Sequence, residues 1–133
     1  MFYSENLADF ITNLKFETLP FSVVQRAKEL MLDSFGTGLA ASKEVCVLNA
    51  FKAFDALSLV KNTPIWVSDK KLDPIYATML NGIAAHALDF DDTHTEAILH
   101  ASAILTPLCL SYGFHATKDA KKIIKAFIVG WEV

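Results

Sequence analysis

The sequence predicts an all-α fold, a helical bundle with at most one short extended segment around Ile65, Trp66 and Val67. Three observations support this class. Apolar residues recur at intervals of three and four along most of the chain, as they do on one face of a helix. Proline and aspartate stand where helices would begin. One long segment is dominated by alanine, leucine and methionine, which are strong helix formers.

The first part of the chain contains two predicted helices separated by a short break. The first is short, with an apolar stripe at Leu7, Phe10, Ile11 and Leu14. Pro20 is placed to begin the second helix. The stripe of this second helix consists of Val23, Val24, Ala27, Leu30, Met31, Phe35 and Leu39. Gly36 and Gly38 lie in its last turns, where close packing or fraying explains them better than contact with a ligand.

A third helical pattern follows a polar break and ends before Pro64. Its apolar positions are Val45, Leu48, Phe51, Phe54 and Leu57. The extended segment comes next, followed by a charged surface loop. Asp73 and Pro74 then form a cap and a first helical residue. The helix that they begin is apolar nearly all round, which predicts burial and requires hydrogen-bond partners for Asn81 and His86.

The last helical pattern begins near Asp119 and has one distinct apolar face. That face consists of Ile123, Ile124, Phe127, Ile128 and Trp131. The pattern has no stop signal, so we expect residues 1–133 to form a single, incomplete domain. The terminal face would then be covered in a longer protein, and its exposure here predicts self-association.

Composition narrows the classes of function. The net charge of the 133-residue chain is −3, and Arg26 is its only arginine, so nothing favours nucleic-acid binding. The longest apolar run is too short to span a bilayer, so no membrane segment is predicted. Cys46 and Cys109 stand among apolar neighbours without metal-type spacing. We interpret them as reduced core residues of a cytoplasmic protein.

Residues 81–102 concentrate the chemistry of the chain. They include three of the four histidines, His86, His94 and His100, and four of the fifteen acidic residues. His86 and Asp89 are three apart, so on a helix the carboxylate would fix the tautomer of the imidazole. Crowded carboxylates and imidazoles are the groups that general acid–base catalysis uses. Helix caps and buried hydrogen bonds explain the same residues equally well.

Metal binding is a further alternative for this segment, and the residue spacing disfavours it. Oxygen-bearing residues alternate from Asp89 as in a calcium loop. The sixth and twelfth positions, however, are His94 and His100 rather than glycine and glutamate. A zinc site formed by His86, Asp89 and His94 would lack a recognised ligand spacing. The sequence therefore predicts no metal site.

The motif NGIAAHALDFDDTH, residues 81–94, resembles the most specific signature of the MmgE/PrpD family. The segment LADFITNLKFETLPFSVVQRAKELMLDSFGTGLAAS, residues 7–42, is similar to the first two helices of that family. The end of the chain, AFIVGWEV, resembles a segment after which family members normally continue. The resemblance runs along the whole chain and identifies it as the amino-terminal part of such a protein.

The resemblance implies a helical main domain, usually in a homodimer, and an enzyme that acts on a small di- or tricarboxylate. The family includes 2-methylcitrate dehydratase, and its members dehydrate, decarboxylate or epimerise. The resemblance places Asp89, Thr93 and His100 in the catalytic site and implies no metal or organic cofactor. We assign the polar neighbours of these three residues to substrate binding: His86, Asp92, His94 and Ser102.

The chain departs from the family pattern in two ways. His100, Ala101 and Ser102 stand where the family has His-Pro-Ser, and loss of the proline would relax the loop that aims His100. Further catalytic residues of the family lie beyond residue 133, so we expect a truncated or split lyase with part of an active site. The alternative is a non-catalytic helical module that self-associates or pairs with a chain carrying the missing half.

Overall fold

Helices form most of the structure, which confirms the all-α class. The computed structural model describes residues 2–133, apart from the side chain of Phe114. Its helices are α1 (Tyr3–Asn13), α2 (Phe21–Ala40), α3 (Val45–Leu57), α4 (Pro74–His86), α5 (Ala101–Pro107), α6 (Gly113–Ala116) and α7 (Ala120–Glu132). Short 3₁₀ turns lie at Phe16–Thr18 and Ala41–Lys43, and a π-helical turn at Leu108–Tyr112 follows α5. Within residues 2–133, no helix combines the length and the apolar character that a membrane span requires.

A small two-stranded sheet replaces the single extended segment that the sequence predicts. Strand β1 (Thr63–Pro64) pairs antiparallel with β2 (Lys71–Leu72), and Thr63 lies opposite Leu72. The extended backbone therefore begins two residues before Ile65, and the second strand comes from the segment predicted to be a charged loop. Both Thr63 and Leu72 are fully buried. Their burial explains the pairing, because buried backbone groups must find hydrogen-bond partners.

Helix α4 lies at the centre of the fold, packed against α2, α3 and α5. Ala77, Leu80 and Ala84 have no exposed surface, so the side of α4 that faces its neighbours is buried as predicted. Ile75 and Met79 are 63% and 48% exposed and His86 is exposed, so the predicted burial all round the helix is wrong. Small side chains allow such close packing of neighbouring helices, and the backbone carbonyl of Ala103 would lie 3.2 Å from a Cβ atom at Gly82. The Asp73 carboxylate accepts a hydrogen bond from the backbone N–H of Ile75 and caps the helix, as predicted.

Asn81 is the buried polar centre of this packing. Its side-chain oxygen accepts a hydrogen bond of 2.9 Å from the backbone N–H of Trp66. Its amide group donates to the hydroxyl of Ser111 at 2.9 Å and to the carbonyl of Pro64 at 3.4 Å. One side chain thus joins α4 to the small sheet and to the π-helical turn. The requirement for partners that burial imposes on Asn81 is met.

The apolar face of α7 is covered by this chain itself, which corrects the expectation that it would be exposed. Phe127 has no exposed surface and Ile128 is 6% exposed. Both pack in a cluster with Ala27 and Met31 of α2 and with Cys109. The sequence pattern showed which side of α7 is apolar, but the covering helices come from distant parts of the chain. The exposed apolar residues lie elsewhere, and they include Phe2, Phe21, Leu59, Phe90, Ile98 and Ile104.

Helix α3 is rotated relative to the predicted stripe. Val47 is fully buried against the first core cluster, whereas Val45 at the start of the predicted stripe is 71% exposed. Cys46 is exposed, so its interpretation as a core residue is wrong, whereas Cys109 is buried. Both thiols are free. Burial raises the pKa of the Cys109 thiol to about 11, which keeps this thiol neutral at ordinary pH.

The two glycines of α2 occupy different environments, and replacing each with alanine is expected to shift stability in opposite directions. A Cβ atom at Gly38 would lie 2.8 Å from the Trp66 ring, which is held edge-on against Phe35. Gly38→Ala should therefore lower the free energy of unfolding by about 1–3 kcal/mol. Gly36 is exposed with nothing within 4 Å of such an atom. Gly36→Ala should raise the free energy by about 0.5–1 kcal/mol, since alanine favours helix.

Urea unfolding of the two glycine variants beside the unchanged chain measures this difference. Equal effects of the two substitutions would show that Trp66 does not constrain α2 in solution.

Candidate functional site

The acidic and imidazole groups gather in the loop between α4 and α5. Helix α4 ends at His86, and the chain turns at once because Asp89 adopts a left-handed backbone conformation with φ 54°. Aspartate tolerates this conformation better than most residues. Ile98, near the other end of the loop, has φ 51°, which is rare for a β-branched residue. Strained backbone of this kind tends to occur at functional sites.

Asp91 is the centre of the site. Its carboxylate lies 3.0 and 3.1 Å from Nδ1 of His86 and 3.4 Å from Nδ1 of His100. The side chain of Asp91 is fully buried, whereas those of His86 and His100 are 53% and 30% exposed. The two imidazole rings are 4.8 Å apart between centroids. One buried carboxylate therefore holds two partly exposed imidazoles side by side.

The predicted pairing of His86 with Asp89 is corrected by this geometry. Because α4 stops at His86, Asp89 is not on the same helical face. The turn at Asp89 instead directs Asp91 to the imidazole. Asp91 is absent from the site residues that the sequence predicts. The position of Asp91 within the DFDDT motif could have pointed to it, but helical spacing favoured Asp89 as the partner of His86.

The three residues that the family resemblance assigns to catalysis lie close together. The hydroxyl of Thr93 is 3.5 Å from Nδ1 of His100. Asp89 belongs to a group of four side chains, with His86, Asp91 and His100, whose ligand atoms all lie within 4.8 Å of one another. We call these four residues the histidine–aspartate cluster. Their proximity makes a joint chemical role feasible, and the catalytic role of each residue stays a prediction.

The remaining residues assigned to substrate binding lie elsewhere. Asp92 and His94, with Thr93 between them, border a cavity of about 460 Å³ formed with residues of α2 and α7. Nδ1 of His94 accepts a hydrogen bond from the backbone N–H of Ala97. Ser102 is fully buried, and its carbonyl accepts a hydrogen bond from Ser34 of α2. Their roles in substrate binding stay predictions, because none of these contacts joins them to the histidine–aspartate cluster.

A cavity of about 600 Å³ lies beside the two clustered histidines, between α4, α5 and the end of the loop. Its polar lining residues are His86, His100 and Thr78, and its apolar ones include Ile83, Ile98 and Pro107. The volume is within the range of small-molecule sites, about 300–1,000 Å³. We call this space the histidine cavity.

The contacts with Asp91 influence the chemistry of the imidazoles: its carboxylate is in hydrogen-bond contact with Nδ1 of His86 and lies 3.4 Å from Nδ1 of His100. A carboxylate that accepts from Nδ1–H leaves Nε2 as the nitrogen that can exchange a proton with a ligand. The arrangement is suited to moving a proton.

The amino-terminal domain of the MmgE/PrpD family matches residues 5–133 of the sequence. The chain belongs to the MmgE/PrpD family. It is 33% identical to human cis-aconitate decarboxylase in an alignment of 135 positions that covers 98% of this chain and 28% of the human protein. It is 30% identical to the cis-aconitate decarboxylase-like protein oryM of Aspergillus oryzae, over 95% of this chain and 28% of that protein. The mouse cis-aconitate decarboxylase is 31% identical, with 98% of this chain and 28% of that protein covered.

The resemblance read from residues 81–94 is confirmed by this match. The chain spans little more than a quarter of the length of these MmgE/PrpD relatives, and the match covers their amino-terminal portion.

Proposed function

We propose that this chain supplies part of the active site of an MmgE/PrpD lyase that acts on a small di- or tricarboxylate by general acid–base chemistry. The pair of imidazoles held by buried Asp91 at the edge of the histidine cavity carries this proposal. The names of the relatives favour decarboxylation of cis-aconitate over the other reactions of the family. Dehydration or epimerisation of a related polycarboxylate stays possible within the same chemistry.

We assign substrate binding to the charge of the two imidazoles and to the shape of the histidine cavity. His86 and His100 present imidazoles to the cavity, and these rings attract carboxylates when they are protonated. The chain has only one arginine, Arg26, and that residue borders the other cavity. A tricarboxylate needs more positive charge than the clustered histidines supply. We therefore assign the further cationic groups to the part of the enzyme that the relatives carry beyond this match.

The reaction assigns distinct roles to the clustered residues. Decarboxylation breaks a C–C bond, releases CO₂ and leaves an electron pair that spreads over the neighbouring double bond. A proton must then be added to carbon, and we assign its delivery to the imidazole of His100. Thr93 holds that ring through its hydroxyl, and Asp91 positions both rings without contacting the substrate. Asp89 is exposed next to the two imidazoles, and its assignment to catalysis rests on the family resemblance.

A second proposal concerns partners. Ile98 and Ile104 border the histidine cavity and are 84% and 62% exposed, and Leu108 on the following turn is 47% exposed. Apolar residues grouped in this way typically mark an interaction surface. We propose that another polypeptide covers them, either a second copy of this chain or a complementary chain.

A cytoplasmic location is proposed as well, because the two thiols are free.

Titration of the isotope-labelled chain with cis-aconitate tests the proposed function. The ring signals of His86 and His100 are expected to shift with saturation, while those of His115, which contacts Thr63, should shift little. His100→Gln should weaken the affinity about tenfold, the effect of losing one charge-assisted hydrogen bond. Release of CO₂ above the blank would establish turnover. Equal shifts at His115, or equal affinity for acetate and cis-aconitate, would contradict the proposal.

A further inference from the structure

The histidine–aspartate cluster brings four metal-binding side chains together. Each of His86, Asp89, Asp91 and His100 offers one nitrogen or oxygen atom, and these atoms lie within 4.8 Å of one another. They come from the end of α4, from the loop and from the residue that precedes α5. The spacing of these residues in the sequence does not predict the cluster, because the left-handed turn at Asp89 brings their side chains together.

The separations fit the first coordination sphere of a divalent transition-metal ion. Ligand bonds of about 2.1 Å around a tetrahedral ion place every pair of ligand atoms about 3.4 Å apart. Asp91 lies 3.0 Å from Nδ1 of His86 and 3.4 Å from Nδ1 of His100, close to that separation. The widest separation of 4.8 Å needs a contraction of about 1.4 Å, which requires side-chain rotation by exposed His86 and Asp89.

The chemistry of the four groups favours an ion such as Zn²⁺ over Mg²⁺. Two imidazoles and two carboxylates form a mixed nitrogen and oxygen set, which Zn²⁺ accepts, whereas Mg²⁺ prefers oxygen ligands alone. Two carboxylates also balance the charge of a divalent ion. Asp91 is buried and contacts imidazoles rather than a lysine or an arginine, so a cation would compensate its charge directly.

We infer that the histidine–aspartate cluster binds one Zn²⁺ ion and that the bound ion inhibits the site. The ion would replace the Nδ1 protons that face Asp91, because a metal-bound nitrogen carries no proton. His100 could then no longer be positioned by Asp91, and the catalytic arrangement would be lost. Zinc binding follows from the geometry alone, whereas the inhibition rests on the proposed function.

Zinc binding can be measured by calorimetry on the metal-free chain without a histidine tag. A Cys46→Ser background removes the exposed thiol, which is a competing ligand. The expected result is one Zn²⁺ per chain, with no competition from Mg²⁺. Asp89→Asn and His100→Gln should each weaken Zn²⁺ binding at least about 100-fold, because even changes outside the ligand shell cost about 10–100-fold. Asp89 is on the exposed loop, so Asp89→Asn still tests zinc binding if the His100→Gln variant fails to fold.

His115→Gln is the matched control, since it removes an imidazole outside the cluster. Its zinc affinity should equal that of the background protein. Absence of stoichiometric binding would overturn the inference, and so would losses of equal size in His115→Gln and Asp89→Asn. Failure of the proposed function is a separate result, in which the metal-free chain binds Zn²⁺ but shows no shift of His86 or His100 with cis-aconitate.

Discussion

Replacing Asp91 with asparagine is expected to lower the turnover of cis-aconitate about 100-fold and to change KM much less. Asp91 contacts Nδ1 of both His86 and His100, so an amide in its place removes the charge that fixes the two ring orientations. Loss of a residue that positions a metal-binding or catalytic imidazole typically costs about 10–100-fold or more. Comparison of kcat and KM with and without the substitution, in an enzyme that also contains the part the relatives carry beyond this match, measures the effect.

The same substitution has a readout that does not depend on activity. Long-range ¹H–¹⁵N spectra report which ring nitrogen carries the proton, and both imidazoles should lose their preference for Nδ1–H in the variant. Asp92→Asn is the matched control, since that neighbouring carboxylate borders the other cavity. The assignment of Asp91 as a positioning residue fails if the control changes the two rings as much as Asp91→Asn does.

Replacing Asn81 with leucine is expected to lower the free energy of unfolding by about 2–4 kcal/mol. Leucine is similar in size but leaves the backbone N–H of Trp66 and the hydroxyl of Ser111 without their partner in a buried region. Each unpaired buried group costs about 1–3 kcal/mol. Denaturant unfolding with a two-state fit gives the difference directly.

Asn49 of α3 provides the control for this prediction, because it is exposed on a helix. Asn49→Ala should change the free energy of unfolding by no more than about 0.5 kcal/mol. A loss of stability in Asn81→Leu no larger than that of the control would mean that water replaces the amide group of Asn81 in the folded chain.

Much of the fold could be predicted because helices are encoded locally. The stripe of α7 and the Asp73 cap of α4 are patterns within a few residues, and both elements form where they were predicted. The stripe of α3 was less reliable, because several of its sides are apolar. Val47 is buried in a cluster with Ile65 and Leu72, which are not near it along the chain. Apolar spacing alone could not select that side.

In the candidate site, too, local sequence features were predicted and side-chain contacts were not. The concentration of histidine and aspartate in residues 81–102 indicated where chemistry would occur, and the DFDDT motif carried the family assignment. The pairing within the motif was missed, since helical spacing pointed to Asp89 and a left-handed residue redirected the chain to Asp91. Asp92 is the next residue, but its two carboxylate oxygens lie beside the other cavity, buried and without a hydrogen-bond partner among the described residues.

The sequence by itself determined the all-α class, the approximate positions of α1, α2, α3, α4 and α7, the family and the segment that holds the reactive groups. These properties depend on local periodicity and on a contiguous motif. Only the tertiary structure decided which carboxylate holds the two imidazoles, that α2 and the segment around Cys109 cover Phe127 and Ile128, and that Cys46 is exposed. These properties depend on contacts between residues far apart in the chain, and such contacts leave no periodic signal in a single sequence.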